Sequence, residues 1–277
     1  MLNRAVWAAA LLTPGLSPSQ DLKPEEIYAR LLPSVMTLKV VNTQGDRFTG
    51  SGFLALGEGL AVTSWHVVFD AAEVTAHFAD GTKVEVLGVV DKDERHDLAL
   101  IRLKITGRPL AKLAKTPPRV GARAYVIGAP RGFAFSIADG LLSQVQSIDG
   151  FPQYQMSCPL STGNSGGPMV NERGEVVGVA SWSKIDAQNV NFAVPAEHLS
   201  RLNPRKPVVP CKDLAARAHL PVARSESTLC AKTADETDSD RDLESFRKFL
   251  KTSAGQKITV TVQDGKKPQV FNFVVPE

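Results

Sequence analysis

The sequence predicts a mostly β protein in which two small closed antiparallel barrels precede a small α+β module. Three observations support this fold class. Short apolar runs rich in β-branched residues recur along the chain, turn signals such as Asp80–Gly81 separate them, and the runs form two groups of six. Because a closed barrel removes the exposed edges of a sheet, two such groups indicate two barrels. Glycine is absent between Gly178 and Gly255, and this change in composition indicates a separate module in the last part of the chain.

A short helix is expected over residues 24–32, before the first barrel. Pro24 suits the first helical position, two acidic residues follow it, and Pro33 ends the pattern. The first barrel should cover about residues 34–105 and the second about 119–200, with a linker around 105–118. The expected strands are VMTLKVV, GSGFLAL, LAVTS, EVTAHF, KVEVLGVV and LALIRL in the first barrel, and ARAYVIGA, LLSQVQSI, YQMSC, GPMV, EVVGVASW and NFAVP in the second.

The module over residues 205–277 has its own signals. The segment DLESFRKFLK has the apolar spacing of a short helix, and KITVTVQDGKKPQVFNFVV predicts a hairpin around Asp264–Gly265. The acidic run DETDSDRD is interpreted as a solvated loop. A calcium loop is not favoured, because Leu243 and Phe249 occupy the positions where such a loop needs glycine and glutamate.

Composition and the N-terminus limit the functional classes. The chain has 277 residues, of which 43% are hydrophobic, and its net charge of +3 does not favour nucleic acid as a partner. Residues 1–20 combine Arg4 with the apolar run Ala5–Leu12 and are similar to a secretory signal peptide, with a disordered tail as the alternative. The run is too short to span a bilayer. We therefore expect an exported protein, periplasmic or secreted, without a stable membrane span.

The cysteines and histidines show no metal-ligand spacing, so neither a metal nor another cofactor is expected. The chain has three cysteines, Cys158, Cys211 and Cys230, and an odd count leaves one thiol over in an exported protein. Cys211 and Cys230 could pair with each other, although spacing alone does not establish that they do.

Three stretches carry residues suited to nucleophilic chemistry: AVTSWHVV with His66, RHDLALIRL with Asp97, and STGNSGGP with Ser165. A serine is a weak nucleophile until a base accepts its proton, and imidazole titrates near neutrality. A carboxylate can orient that imidazole, and the bare glycine loop leaves main-chain N–H groups free for an oxyanion. We prefer Asp97 over Asp91 and Asp93, which we interpret as turn residues, because it directly precedes the strand pattern LALIRL.

Each of these residues also has a plainer interpretation. His66 could be a packed histidine beside Trp65, and Asp97 could be a turn residue like its neighbours. A glycine-rich loop could bind phosphate, but GxxxxGK[ST], with its lysine, is missing from the sequence.

Taken together, the three stretches resemble the chymotrypsin-like serine proteases, and more closely their bacterial HtrA/Deg-type branch. TGSGFLALGEGLAVTSWHVV and NFAVPAEHL are also similar to that branch, and the resemblance covers about residues 24–200. It implies a trypsin-like fold, with His66 as general base, Asp97 as its orienter and Ser165 as nucleophile. The N–H groups of Gly163 and Ser165 would form the oxyanion hole, and Ser181 would support Asp97.

The resemblance also implies a substrate site beside GVASW. Trp182 and Ser183 would flank the substrate, although simple core packing would explain Trp182 equally well. QYQMSCPLSTGN, which precedes the nucleophile, contains no acid, and Ser183 and Val190 stand where the trypsin-like pattern has glycine. These features predict cleavage after small or medium aliphatic residues rather than after Lys or Arg.

The end of the chain is similar to the second half of a PDZ domain. Residues 205–240 lack the glycine-rich loop that captures a peptide carboxylate, so we expect a truncated PDZ-like module, with a purely structural role as the alternative. Relatives of this type often form trimers, which suggests a homo-oligomer by analogy alone.

The sequence as a whole predicts an exported serine endopeptidase that hydrolyses protein or peptide substrates through an acyl-enzyme, with a role in protein quality control. The alternative is a non-catalytic peptide-binding scaffold on the same fold.

Overall fold

The computed structural model describes residues 21–129, 135–148, 150–161, 163–183, 190–218, 228–229, 257–263 and 268–274. The chain divides after Ala218 into two compact units, which are described separately below. Both predicted barrels lie in the first unit.

Helix α1 covers Pro24–Leu31 and confirms the predicted N-terminal helix. Its start is capped because the Glu26 carboxylate accepts a hydrogen bond from the Lys23 main-chain N–H at 2.8 Å. Ile27 and Leu31 are buried on one face of the helix. A 3-10 turn over Leu32–Ser34 follows at Pro33 and leads directly into the first strand.

The first barrel contains six strands and one short helix. The strands are β1 (Val35–Asn42), β2 (Arg47–Leu54), β3 (Leu60–Ser64), β4 (Ala71–Phe78), β5 (Lys83–Asp93) and β6 (Leu98–Leu103), and helix α2 (Trp65–Val68) follows β3. They pair in the order β1-β2-β3-β6-β5-β4, and β1 closes the barrel by pairing with β4.

The second barrel has the same strand count and the same kind of closure. Its strands are β7 (Arg123–Gly128), β8 (Ser136–Ile148), β9 (Phe151–Met156), β10 (Pro168–Val170), β11 (Val176–Ser183) and β12 (Asn191–Pro195). They pair in the order β10-β11-β12-β9-β8-β7, and β10 closes the barrel against β7. The fold class predicted from the sequence, two closed six-stranded antiparallel barrels, is therefore confirmed.

The apolar core has three parts. One cluster fills the first barrel and another fills the second. A third cluster lies between them and combines Ile27 of α1 with Phe53 and Leu100 of the first barrel and Ile127 and Val194 of the second. Burial of these side chains stabilises the contact between the barrels, where the candidate active site lies.

The first unit extends past the predicted domain boundary at residue 204. Val89 and Val209 exchange main-chain hydrogen bonds at 2.8 and 2.9 Å, and helix α3 (Cys211–Ala218) packs on β4 and β5. Gly88 makes this approach possible, because a Cβ at that position would collide with the Val209 carbonyl. The chain through Ala218 thus belongs with the barrels, a long-range packing that strand patterns do not reveal.

Asp91 contributes to the same attachment, so it is not the turn residue that the sequence suggested. It lies in β5, is 8% exposed, and accepts hydrogen bonds from Lys206 Nζ at 2.6 Å and from the Asn203 N–H at 2.8 Å. Burial raises its pKa, but these hydrogen bonds and the Lys206 charge outweigh burial, and the net pKa is lowered. The carboxylate is therefore a structural anion that holds residues 203–206 on the barrel.

The second unit contains β13 (Thr228–Leu229), β14 (Lys257–Gln263) and β15 (Pro268–Val274) in one sheet. Antiparallel pairing of β14 with β15 agrees with the two strands of the predicted hairpin. The Asp264–Gly265 turn, the DLESFRKFLK helix, Cys230 and the expected signal segment 1–20 lie outside the described residues. The PDZ-like interpretation stays a prediction. Among the described residues, no helix is long and apolar enough to cross a membrane.

Candidate active site

Strand pairing in the first barrel brings His66 and Asp97 together. Ser64 at the end of β3 is paired with Leu98 at the start of β6, so the residues just beyond each end become neighbours. The His66 main-chain N–H donates to Asp97 Oδ1 at 2.8 Å, and His66 Nδ1 lies 2.7 Å from Asp97 Oδ2. Because an ionised carboxylate can only accept, Nδ1 is the donor in this contact, and in the neutral imidazole Nε2 then carries the lone pair.

The second barrel completes the surroundings of Asp97. Ser181 Oγ donates to Asp97 Oδ2 at 2.8 Å, and Ser181 is 5% exposed. It lies at a register shift in the pairing of β11 with β12, and such bulges re-aim side chains near active sites. The carboxylate therefore accepts hydrogen bonds from both barrels, as the resemblance implied for Ser181.

Ser165 lies in the loop before β10 and is partly buried. Its Oγ donates to the main-chain carbonyl of Ser181 at 2.8 Å. Within the described residues, no hydrogen bond joins this hydroxyl to His66. The structure thus brings the serine to the same edge of the second barrel as Ser181, with its hydroxyl directed at the carbonyl rather than at the imidazole. Active sites without substrate often show such unengaged hydrogen bonds.

The glycines around Ser165 are required by close packing and by backbone conformation. Gly163 and Gly166 have φ values of +103° and +86°, in the region that favours glycine. A Cβ on Gly166 would collide with the Ser51 carbonyl, and one on Gly167 would lie 2.6 Å from the Ile127 carbonyl. The small residues that surround Ser165 therefore let the loop lie directly against the first barrel and β7.

Within the described residues, no hydrogen bond is found from the main-chain N–H of Gly163 or of Ser165. Their neighbours are paired, since the Gly166 N–H donates to Ala180 O at 2.7 Å and the Gly167 N–H donates to Asn164 O at 2.9 Å. Two such N–H groups can bind a developing oxyanion. The oxyanion hole expected at Gly163 and Ser165 stays a prediction.

Ser51 on β2 is a residue of this site that the sequence analysis missed. It is fully buried, and its Oγ donates to Gly163 O at 2.7 Å and accepts from the Ala129 N–H at 3.2 Å. Its own N–H donates to Ser165 O at 2.8 Å. One serine of the first barrel thus holds the nucleophile loop at two points. The stretch TGSGFLAL was noted, but nothing in its pattern reveals a partner 112 residues away.

The expected substrate residues lie along β11 and just beyond it. The Trp182 ring stacks on Phe192 with centroids 4.0 Å apart and an interplanar angle of 15°, and its Nε1 donates to Gln153 at 2.9 Å. Trp182 is 38% exposed, so it is not simply a core residue. The Ser183 backbone pairs with Asn191, which places Val190 just past the end of this ladder. Phe192 and Gln153 were not anticipated as supports of the Trp182 ring.

The two cysteines of the described residues are not reactive. Burial raises the pKa of the Cys158 thiol to about 12 and that of the Cys211 thiol to about 11, so neither is a reactive thiolate near neutral pH. Cys211 is a free thiol in the structure, and Cys230, with which the sequence left a pairing open, lies outside the described residues. No group of three or more His, Cys, Asp or Glu side chains in the described part of the chain is arranged to hold a metal ion.

Comparison with known proteins agrees with this geometry. Residues 50–179 match the family described as trypsin-like peptidase domain. A probable periplasmic serine endoprotease, DegP-like, of Ectopseudomonas mendocina (strain ymp) is 31% identical over 194 residues, which are 66% of this chain and 41% of that protein. Anti-sigma-I factor RsgI9 of Acetivibrio thermocellus is 32% identical over 203 residues, which are 69% of this chain and 28% of that protein.

Among solved structures, the active form of the Rv3671c protease from M. tuberculosis is similar, with a TM-score of 0.62 and 23% identity over 74% of this chain and 96% of that one. At this identity the likeness concerns the fold alone. The chain spans about two fifths of the length of the DegP-like protein that it matches, 41%. Residues 50–179, which reach from the first barrel into the second, are thus similar to a trypsin-like peptidase domain, and the paired barrels agree with that likeness.

Proposed function

We propose that the protein is a serine endopeptidase that hydrolyses peptide bonds of protein substrates through an acyl-enzyme. In this mechanism His66 is the general base, Asp97 orients it, and Ser165 is the nucleophile. The observation that carries the proposal is the Asp97 carboxylate, which accepts hydrogen bonds from the His66 N–H and Nδ1 in the first barrel and from Ser181 Oγ in the second. Two unpaired N–H groups beside Ser165 support it further.

The reaction begins when the Ser165 hydroxyl rotates from the Ser181 carbonyl toward His66 Nε2. Oγ attacks the substrate carbonyl while Nε2 accepts its proton, and the imidazolium that forms is stabilised by Asp97. The negative charge on the substrate oxygen is stabilised by the N–H groups of Gly163 and Ser165. His66 then donates the proton to the leaving amine. In the second half, water deprotonated by the same imidazole attacks the acyl-enzyme and releases the carboxylic acid and Ser165.

Substrate preference follows from the residues near β11. A lysine or arginine side chain would enter a pocket whose preceding segment, QYQMSCPLSTGN, offers no carboxylate, and an unpaired buried cation costs several kcal/mol. Ser183 and Val190 would shorten the pocket, while the exposed Trp182 ring, held flat by Phe192, would contact the substrate chain. We propose cleavage after Ala, Val or Ile, with modest selectivity, because each methylene contributes only about 1–3 kcal/mol.

A peptide-library cleavage profile tests this preference. Val190→Gly should extend cleavage toward Leu and Phe and leave cleavage after Ala largely intact. Dominant cutting after Arg or Lys would show that the pocket assignment is wrong.

The competing proposal is a peptide-binding scaffold without catalysis. The hydrogen bond from Ser165 Oγ to the Ser181 carbonyl favours it, because the hydroxyl is not engaged with its base in this state. A fluorophosphonate probe distinguishes the two functions. A serine protease should be modified once per molecule, and Ser165→Ala should abolish the modification, whereas Ser143→Ala on the exposed face of β8 should not. A folded protein that binds peptides but is never modified would be a scaffold.

The setting of the activity is also proposed. The DegP-like relative carries the word periplasmic in its name, and residues 1–20 resemble a signal peptide, so we propose an exported protein that degrades damaged proteins. Fractionation of expressing cells, with N-terminal sequencing of the mature protein, tests the export. Assembly into a homo-oligomer is proposed by family analogy and is tested by sedimentation.

A further inference from the structure

Asp97 holds an unusual backbone conformation. Its φ is +53°, in the left-handed region, where a residue with a side chain costs about 1–2 kcal/mol. The turn from Asp93 to Asp97 joins β5 to β6, and its closing hydrogen bond, from the Asp97 N–H to Glu94 O, is long at 3.4 Å. Such a conformation persists only where neighbouring groups enforce it. Part of the enforcement is direct, because the Trp65 N–H donates to the Asp97 carbonyl at 3.0 Å, and the residues before Asp97 are held as well.

Asp93 and His96 supply one set of these contacts. The Asp93 carboxylate accepts from the His96 main-chain N–H at 3.2 Å and lies 2.7 Å from His96 Nδ1. The acid thus binds both the backbone and the ring of the residue directly before Asp97. Asp93 is therefore more than the simple turn residue that the sequence suggested.

The second barrel supplies the other set. The His96 ring stacks on His198, with centroids 4.0 Å apart and an interplanar angle of 23°. The centroids of the His96 and Phe151 rings lie 4.8 Å apart, and these two rings meet edge to face. The His96 side chain is only 2% exposed. His198 lies in the 3-10 turn Ala196–Arg201 that follows β12, and Phe151 begins β9. The turn that carries Asp97 is thus held by Asp93 of the first barrel and by the His198 and Phe151 rings of the second.

The choice of histidine at position 96 has a cost that general packing does not explain. Within the described residues, Nε2 of His96 and Nε2 of His198 are both buried without a hydrogen-bond partner. A buried polar atom without a partner typically costs about 1–3 kcal/mol. Phenylalanine would fill the same space without that cost but could not donate to Asp93. Histidine combines the flat ring that stacks on His198 with the Nδ1 donor that binds Asp93.

We infer that His96 is a positioning residue that fixes the Asp93–Asp97 turn and thereby holds the Asp97 carboxylate against His66. The inference rests on the proposed function for its effect on turnover, but its structural part can be tested separately. Displacing a catalytic group by about 1 Å can cost on the order of a hundredfold in rate. His96→Ala should therefore lower kcat by about that factor per titrated active site and change KM little.

Three further variants separate positioning from general destabilisation. His96→Asn keeps a donor near the Nδ1 position and should recover most of the lost turnover, whereas His96→Phe keeps the ring alone and should recover less. His77→Ala, at a half-buried histidine of β4 outside the site, should leave turnover unchanged. Because His96 acts through Asp97, His96→Ala should add no further loss in an Asp97→Ala protein. Independent, multiplicative losses in that double variant would overturn the inference.

A measurement that does not depend on turnover distinguishes the positioning role of His96 from the proposed endopeptidase function. In the Ser165→Ala protein, the proton between His66 Nδ1 and Asp97 should give a low-field NMR resonance. His96→Ala should weaken or shift that resonance while the amide spectrum stays folded, and His96→Asn should restore it. An unchanged resonance in folded His96→Ala protein would refute the positioning role. If the resonance responds as expected but the wild-type protein never reacts with a fluorophosphonate, the proposed function fails and the positioning role stands.

Discussion

Replacement of Ser51 by alanine tests whether the first barrel sets the geometry of the nucleophile loop. The hydroxyl of this fully buried serine donates to Gly163 O at 2.7 Å and accepts from the Ala129 N–H at 3.2 Å. The substitution removes one oxygen and leaves the Gly163 carbonyl and the Ala129 N–H without that partner. The other contact between Ser51 and the loop, from its N–H to Ser165 O, is made by the main chain and should survive.

The size of the effect follows from these two hydrogen bonds. A net hydrogen bond contributes about 0.5–1.5 kcal/mol, and a buried group left unsatisfied costs about 1–3 kcal/mol. Because water cannot easily reach a fully buried site, we expect Ser51→Ala to lower the free energy of unfolding by about 2–4 kcal/mol. Release of the Gly163 carbonyl loosens the Gly163–Asn164 peptide, which lies between the two peptides that carry the Gly163 and Ser165 N–H groups, so we expect these two donors to lose their alignment. Loss of one oxyanion donor typically costs on the order of a hundredfold to a thousandfold in kcat.

The assay combines denaturant unfolding with peptide hydrolysis normalised by active-site titration. Ser34→Ala is the matched control, because Ser34 is also buried and its Oγ donates to a main-chain carbonyl, Pro109 O at 2.8 Å, far along the chain from the nucleophile loop. Ser34→Ala should lose stability without losing kcat per active site. Equal kcat values for Ser51→Ala and the wild-type protein would refute the reasoning that Ser51 shapes the oxyanion hole.

Three shorter predictions concern single groups. Asp97→Ala should lower turnover on the order of ten-thousandfold. Asp91→Ala should lower the midpoint of denaturant unfolding but not the turnover per folded molecule. The reverse result would show that Asp97 is wrongly assigned as the residue that orients His66. Burial, followed by neighbouring cationic groups, lowers the pKa of His198 from 6.5. The unfolded chain therefore binds this proton at higher pH than the folded one, and stability that is complete above about pH 6.5 should fall as the pH falls toward the folded pKa. Unfolding midpoints at several pH values should show this loss, and a His198→Phe protein with the same pH dependence would contradict it. Gly166→Ala should abolish fluorophosphonate labelling because its Cβ would collide with a β2 carbonyl, whereas Gly45→Ala, at the nearly equal φ of +87° with open space around it, should label normally.

Most of the fold could be predicted because it depends on local patterns. Each of the twelve barrel strands coincides with an apolar run of the sequence, within a few residues at its ends. Strand β4 shows why. Its buried residues include Val74, Ala76 and Phe78, because alternate side chains face the barrel interior, so apolar residues recur at every second position of the sequence. The attachment of residues 205–218 could not be predicted in the same way, because it depends on the contact of Val209 with Val89 rather than on any local signal.

The candidate site was predictable only in part. The sequence allowed the selection of His66, Asp97 and Ser165 because their chemistry and order are specific. The glycines near Ser165 indicated that another part of the backbone approaches closely there. Ser51 and His96 could not be selected, because a serine in a strand and a histidine in a turn are common in any chain. Their partners, Gly163 and His198, come from the other barrel.

The sequence by itself determined the strands, their grouping into two barrels and the chemical identity of the three candidate catalytic residues, because residue type and short-range periodicity act locally. Only the tertiary structure decided how these residues are held: the bulge that aims Ser181 at Asp97, the serine that braces the nucleophile loop, and the histidine clamp behind Asp97. Each of these arrangements joins residues from opposite barrels. Such contacts exist only after both barrels have closed and packed, when burial of the shared apolar core brings distant side chains within hydrogen-bonding distance.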